Sequence, residues 1–287
     1  MMRRITLLCC LFLLQFALCS KADITFNPLY LVVYAPGGNG YGAMTITNPT
    51  QQPVRLQLGI LEWEFTPDKD IQIKQKEPGK ETLSDFVKIS PKQFTLAPLQ
   101  KKVVRVACNL PSSYPANAEY KLLFNMTEIG ADRKMIDGPG SAEGTATYGL
   151  VINKAINAGA YIRTGKPDAF KFDLKFSNFS AKLNGDDIEY QFDYQNSGNR
   201  HAREDIGVKI YDQSGKLVLE KPSVGGLVIF PEGDKSSNLK TSFAFPQDKL
   251  SRTENYSLEF VFTDNSLEGS GSANLKNFTS AKIPLVH

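Results

Sequence analysis

The feature that most constrains this chain is that nearly every patterned segment alternates with period two. Met44-Thr45-Ile46-Thr47-Asn48, Val54-Arg55-Leu56-Gln57-Leu58 and Thr95-Leu96-Ala97 place apolar and polar side chains in turn. Turn residues such as Pro36-Gly37-Gly38-Asn39-Gly40 and Asn48-Pro49-Thr50 separate them at short intervals. A strand sends successive side chains to opposite faces, so this alternation describes strands with one buried face. No segment carries a helix-length apolar pattern. Many short strands with close turn signals imply an all-β sandwich.

The second half repeats the style. Phe170 to Phe176 alternates, and Ile188-Glu189-Tyr190-Gln191-Phe192-Asp193-Tyr194 puts Tyr190, Phe192 and Tyr194 on one face. Asn184-Gly185 signals a two-residue hairpin, because both residues tolerate positive φ. Val208–Tyr211, the Asp212-Gln213-Ser214-Gly215 turn and Leu217–Leu219 form another hairpin, and Leu258–Phe262 is a late strand. Thr164-Gly165-Lys166-Pro167 reads as a short linker. The expected organisation is a cleaved leader over 1–22, a first sandwich domain over 23–163 and a second over 164–287.

The leader rests on Arg3 and Arg4, an apolar run from Ile5 to Leu18, and small residues at Ser20 and Ala22 ahead of Asp23. Leu18 is bulky where a small residue normally precedes a lipidated cysteine, so cleavage is expected rather than anchoring through Cys19. Loss of the leader removes Cys9, Cys10 and Cys19 and leaves Cys108 alone, so no internal disulfide is expected. The net charge of +3 owes much to Arg3, Arg4 and Lys21, and the mature chain is nearly neutral. No basic run interleaves with aromatic residues, which argues against a nucleic-acid partner.

Catalytic and metal-binding patterns are weak. The mature chain holds only His201 and His287; His201, in Asn199-Arg200-His201-Ala202-Arg203, reads as a solvated turn residue. Without a histidine cluster or a cysteine pair, a zinc site has little support. Gly37 to Gly42 lacks the lysine and helix of a phosphate loop and reads as a hairpin loop. Asp186-Asp187 is turn chemistry. The reading is of a binding protein that needs no cofactor and no metal.

The stretch from Pro98 to Arg163 points further. A proline-led turn enters a strand with Val104-Arg105, Leu110-Pro111 follows, and the next strand reads Glu119-x-x-Leu122-x-Phe124-Asn125-x-x-Glu128-Ile129. A glycine-rich loop, Gly130 to Gly144, leads to the alternating Thr145–Ile152. The second half adds Leu227, Pro231 and Gly233 in a Leu-x-x-x-Pro-x-Gly turn, and Asn196-Ser197-Gly198-Asn199. These residues resemble the PapD-like periplasmic chaperones of chaperone–usher pilus assembly, as a divergent member. The resemblance is best over 98–129 and weaker over the rest of the mature chain.

The resemblance implies two immunoglobulin-like sandwiches set at an angle. It implies that pilus subunits are held by a lent strand and passed to an outer-membrane usher. The lent side chains would be Tyr148, Leu150 and Ile152, on one face by parity, with Lys154 next on that face at the polar end. Each apolar insertion contributes roughly 1.5–3 kcal/mol before the costs of association. Such a strand, exposed at rest, suggests a self-capping homo-oligomer. The resemblance also implies two cations that anchor a subunit's terminal carboxylate. Tyr30 or Leu31 stands where the arginine is expected and Gly159 near the lysine position, which leaves Lys154 and Arg163 as candidate anchors. Arg105, Glu119 and Asp264 are the expected interdomain charge network. The alternative reading is a secreted two-domain adhesion or structural protein that binds a surface ligand.

Overall fold

The computed structural model describes residues 24–66, 71–129, 154–231, 236–265 and 278–286. The chain divides into two compact units. One comprises the chain up to Tyr114 together with Tyr120–Ile162, and the other Pro115–Glu119 with the chain from Arg163 onward. The chain therefore passes between units three times, whereas the sequence suggests a single passage at Thr164–Pro167.

The first unit is built from β1 (Thr25–Asn27), β2 (Leu31–Tyr34), β3 (Asn39–Thr47), β4 (Val54–Leu61), β5 (Trp63–Phe65), β6 (Ile71–Ile73), β7 (Val87–Ser90), β8 (Gln93–Leu96), β9 (Lys101–Asn109), β10 (Glu119–Glu128) and β11 (Ala155–Arg163). One sheet runs β1-β3-β9-β7 and the facing sheet β2-β11-β10-β4-β8, while β5 and β6 form a hairpin of their own. The chain changes sheets between β1 and β2 and between β7 and β8, and Pro28 and Pro91 stand at these crossings. Proline has no N–H for the ladder, so it suits the ends of pairing. The alternation predicts the core. Met44, Ile46, Leu56, Leu58, Val104, Val106, Leu122, Phe124 and Met126 are all buried, each spaced by two from its neighbour on the strand. Cys108 continues the inward row of β9 as a buried thiol.

The second unit contains β12 (Leu174–Asn184), β13 (Asp187–Asn196), β14 (Ala202–Tyr211), β15 (Leu217–Ile229), β16 (Ser237–Ala244), β17 (Ser257–Asp264), β18 (Phe278–Thr279) and β19 (Ile283–Val286). Its strands follow one path, β15-β14-β17-β19-β12-β13-β16, with β18 beside β17. Strand β19 joins the two halves, antiparallel to β17 and parallel to β12. Gly185 adopts φ 58° in the two-residue turn that closes Asn184 on Asp187. The core is strongly aromatic: Tyr190, Phe192, Phe260 and Phe262 are buried, and Phe176 stacks on Phe262 with centroids 4.0 Å apart. Among the described residues the Tyr190 hydroxyl is buried without a hydrogen-bond partner, and burial pushes its pKa up to about 12.

Candidate functional site

Strand β11 carries the geometry of interest in the first unit. Its even-numbered residues face the core: Ala158, Ala160 and Ile162 are buried, and Ile156 is partly buried against the same cluster. On one side β11 is bonded to β10 along its length, from Glu128 N to Lys154 O at 2.9 Å to Thr164 N and Ala118 O at 3.0 Å. Among the described residues its other neighbour is β2. Four residues of β2 are fewer than the nine of β11, so among the described residues β2 does not span the whole of that edge.

At the start of β11 the core opens into a cavity of about 20 Å3 lined by Ile24, Leu56, Met126 and Ile156, with Glu128 and Lys154 as its polar members. Lys154 is exposed and has the parity of Ile156, so it stands at the end of the inward row. Tyr148, Leu150 and Ile152 lie outside the described residues.

Where the resemblance expects two cations stand Tyr30 or Leu31 and Gly159, and the ring of Tyr161 packs beside Gly159. Tyr30 and Tyr161 meet edge to face, with centroids 5.9 Å apart and an interplanar angle of 76°, and both are buried. Gly159 belongs to the same arrangement. A Cβ there would lie 2.9 Å from the Tyr161 hydroxyl oxygen, so any side chain at 159 must displace a buried ring. A lysine at 159 is incompatible with Tyr161 where it stands.

A second cluster lies in the second unit, around Glu119. Its Oε2 accepts from Arg163 Nε at 2.7 Å, and its Oε1 accepts from the His201 backbone N–H at 2.7 Å and meets His201 Nδ1 at 2.9 Å. Burial alone acts to raise the Glu119 carboxyl. The hydrogen bond and charge of His201, then the charge of Arg163, outweigh it and hold Glu119 below its ordinary value. Beneath this cluster Asn196 Nδ2 donates to the carbonyls of Arg200 and Ile229, and its Oδ1 accepts from the Asp173 and Gly198 N–H groups. Asn199 donates to the Asn117 and Ala169 carbonyls. The Asn196–Asn199 turn quoted from the sequence is thus a hydrogen-bonded hub.

Three expectations need correction. Arg105 is exposed on β9: odd positions of that strand face outward, and the arginine that meets Glu119 is Arg163. Arg163 is fully buried and committed to Glu119, so it is not presented as an anchor for an incoming carboxylate. His201 is buried, not solvated. Asp264 stands opposite Glu204 in the β14–β17 register. Burial, then the nearby charges of Asp264 and Asp205, raises Glu204 to about 8 against the opposing pull of Arg200. The buried roles of His201, Arg200 and Glu204 had no signal in the sequence, because polar residues after a turn usually face water.

Among the described residues no group of three or more His, Cys, Asp or Glu is placed to hold a metal ion. No helix among them is long and apolar enough to cross a membrane.

No protein-family model matches the chain, and no curated protein matches it. Solved structures to which it is similar include pilus and fimbrial chaperones. One is the CsuC–CsuE chaperone–tip adhesion subunit pre-assembly complex of the archaic chaperone–usher Csu pili of Acinetobacter baumannii. The two chains share 14% identity and a TM-score of 0.44 over 91% of this chain and 98% of that one. The CupB2 chaperone of Pseudomonas aeruginosa shares 11% identity, with a TM-score of 0.41 over 90% and 99% of the two chains. The YadV chaperone also shares 11% identity, with a TM-score of 0.45 over 91% and 100%.

Proposed function

We propose that this chain is a periplasmic chaperone that holds pilus or fimbrial subunits by lending them a β-strand and delivers them to an outer-membrane usher. The observation that carries the reading is β11. Its apolar face runs to the end of the sandwich at Ile156 and Lys154, beside a cavity in the core, and among the described residues its outer neighbour, β2, is shorter than it is. Continued back along the sequence, the same parity selects Ile152, Leu150 and Tyr148. A subunit with an open groove gains backbone bonds from such a strand and pockets for its alternate side chains. Exchange for another subunit's strand releases it without nucleotide or metal, so the protein acts by binding and not as an enzyme. With Arg163 committed to Glu119, Lys154 remains the candidate cation near the lent strand. The charges of the Glu119 cluster act within the fold and are not part of the subunit contact.

The test is a pull-down of the mature protein from its native periplasm beside a Leu150→Glu/Ile152→Glu variant. Recovery of a small all-β subunit by the native form alone supports strand lending. Equal recovery by both folded forms, or recovery by neither, moves the reading to a secreted adhesion protein.

A further inference from the structure

We propose that the outward face of the β1-β3-β9-β7 sheet is a docking surface for a folded protein partner with an acidic patch, anchored by Tyr41. The register sets the side chains of this face in rows. Tyr41 lies opposite Ala107, which in turn faces Lys88; Ala43 lies opposite Arg105, which faces Ser90. Asn27, Thr45 and Val103 form the next row, and Thr25, Thr47 and Lys101 the one after. Alanine, serine and threonine make half of this surface low. Tyr41 rises from it with 84% of its surface exposed, since Ala43 and Ala107 offer its ring little to lie on, and Val103 is 53% exposed.

The charge of the face is one-sided. The four strands contain no aspartate or glutamate, yet they carry Lys88, Lys101 and Arg105 outward and exposed. None of these three cations has a hydrogen bond or ion pair among the described residues, whereas Lys74, Lys76, Lys80 and Lys182 each meet a carboxylate. A projecting tyrosine with an arginine nearby is the composition of an interface anchor. Unpaired cations around it select an acidic partner and speed its approach. The face belongs to the sheet opposite β11, so its use is independent of strand lending.

The experiment places a photo-crosslinking benzoylphenylalanine at Tyr41 or Val103 in the full chain, with Ile71 on the exposed β6 as control. After irradiation in the native periplasm, the joined peptides are identified by mass spectrometry. The expected result is one protein joined from positions 41 and 103 but not from 71, through a segment rich in Asp and Glu. Lys101→Glu/Arg105→Glu should lower the yield at position 103 by roughly tenfold or more, as rim charges control encounter. Tyr41→Ser should lower it as well. Both sets of side chains are exposed, and an unchanged unfolding midpoint verifies that the variants fold. The crosslink should persist in the Leu150→Glu/Ile152→Glu background. Absence of any joined protein, a joined segment without acidic residues, products that are lipid or glycan only, or a yield unmoved by charge reversal would overturn the assignment.

Discussion

Glu119 Oε2 accepts the Arg163 Nε–H at 2.7 Å with both side chains withdrawn from water, and the same carboxylate holds His201 through its other oxygen. All three residues belong to the second unit, with Glu119 at the start of β10, Arg163 at the end of β11 and His201 just before β14. Removal of one partner leaves a buried charge uncompensated. Glu119→Gln is expected to destabilise the second unit by about 3–5 kcal/mol. Urea unfolding followed by tryptophan-independent far-UV dichroism measures it; a loss below about 1 kcal/mol would show the pair to be dispensable.

The same cluster sets an acid limit. Glu119 titrates below its ordinary value of 4.5, so the folded state sheds the proton more readily than the unfolded chain. Its contribution is complete above pH 4.5 and is lost as pH falls through the lower folded value. Thermal melts across acid pH should show a decline in the native chain that is shallower in Glu119→Gln.

Glu204 behaves in the opposite sense. Its folded pKa of about 8 stands above the ordinary 4.5, so the folded state favours the protonated acid. The stability it contributes is full below pH 4.5 and is lost as pH rises through 8. Glu204→Gln mimics the neutral form. It should leave the melting temperature near that of the native chain at pH 4 to 5 and raise stability at pH 9 by on the order of a few kcal/mol. Equal melting curves at both pH values would contradict this assignment.

Leu99 occupies the left-handed region, with φ 59°, in a turn closed by Gln100 N donating to Ala97 O at 3.1 Å. Its side chain is exposed, so no burial offsets the strain. Leu99→Asn should stabilise the first unit by about 0.5–1 kcal/mol, because asparagine tolerates this conformation better. A drop in the unfolding midpoint would refute the argument.

Gly198 is required by space. A Cβ there would lie 2.3 Å from the Lys171 carbonyl oxygen and 2.6 Å from the Phe172 Cα. Both obstacles are backbone. Gly198→Ala is expected to cost about 1–3 kcal/mol and to loosen the Asn196 hub. Hydrogen exchange at the Asp173 amide, which donates to Asn196 Oδ1, should accelerate.

Much of the fold was legible in single strands. The rows Tyr190–Phe192 and Leu122–Phe124–Met126 are buried as alternation requires. The hairpin turn falls one residue later than Asn184-Gly185 suggests, at Gly185-Asp186, and of the two expected residues only Gly185 takes positive φ while Asn184 closes β12 against Asp187. The candidate site was less so. The parity of Lys154 and Ile156 was readable, but the cavity between them, Ile24 and Leu56 needs three strands brought together. Arg105 has the local setting of a network arginine, yet it faces outward, and Arg163 takes the place beside Glu119. Nothing near Tyr161 in sequence tells that its ring fills the space above Gly159 and meets Tyr30.

The sequence by itself determined which residues share a face, where the turns fall and that the chain is all β. Those properties follow from the geometry of one strand and the φ range of single residues, and they need no partner. The tertiary structure alone decided which charges meet. Glu119 lies 44 residues from Arg163 and 82 from His201. Nothing local distinguishes a cation that will be paired in the interior from one left in water. The choice depends on which strand ends the folded chain brings together, and on the cost of burying a charge without a partner.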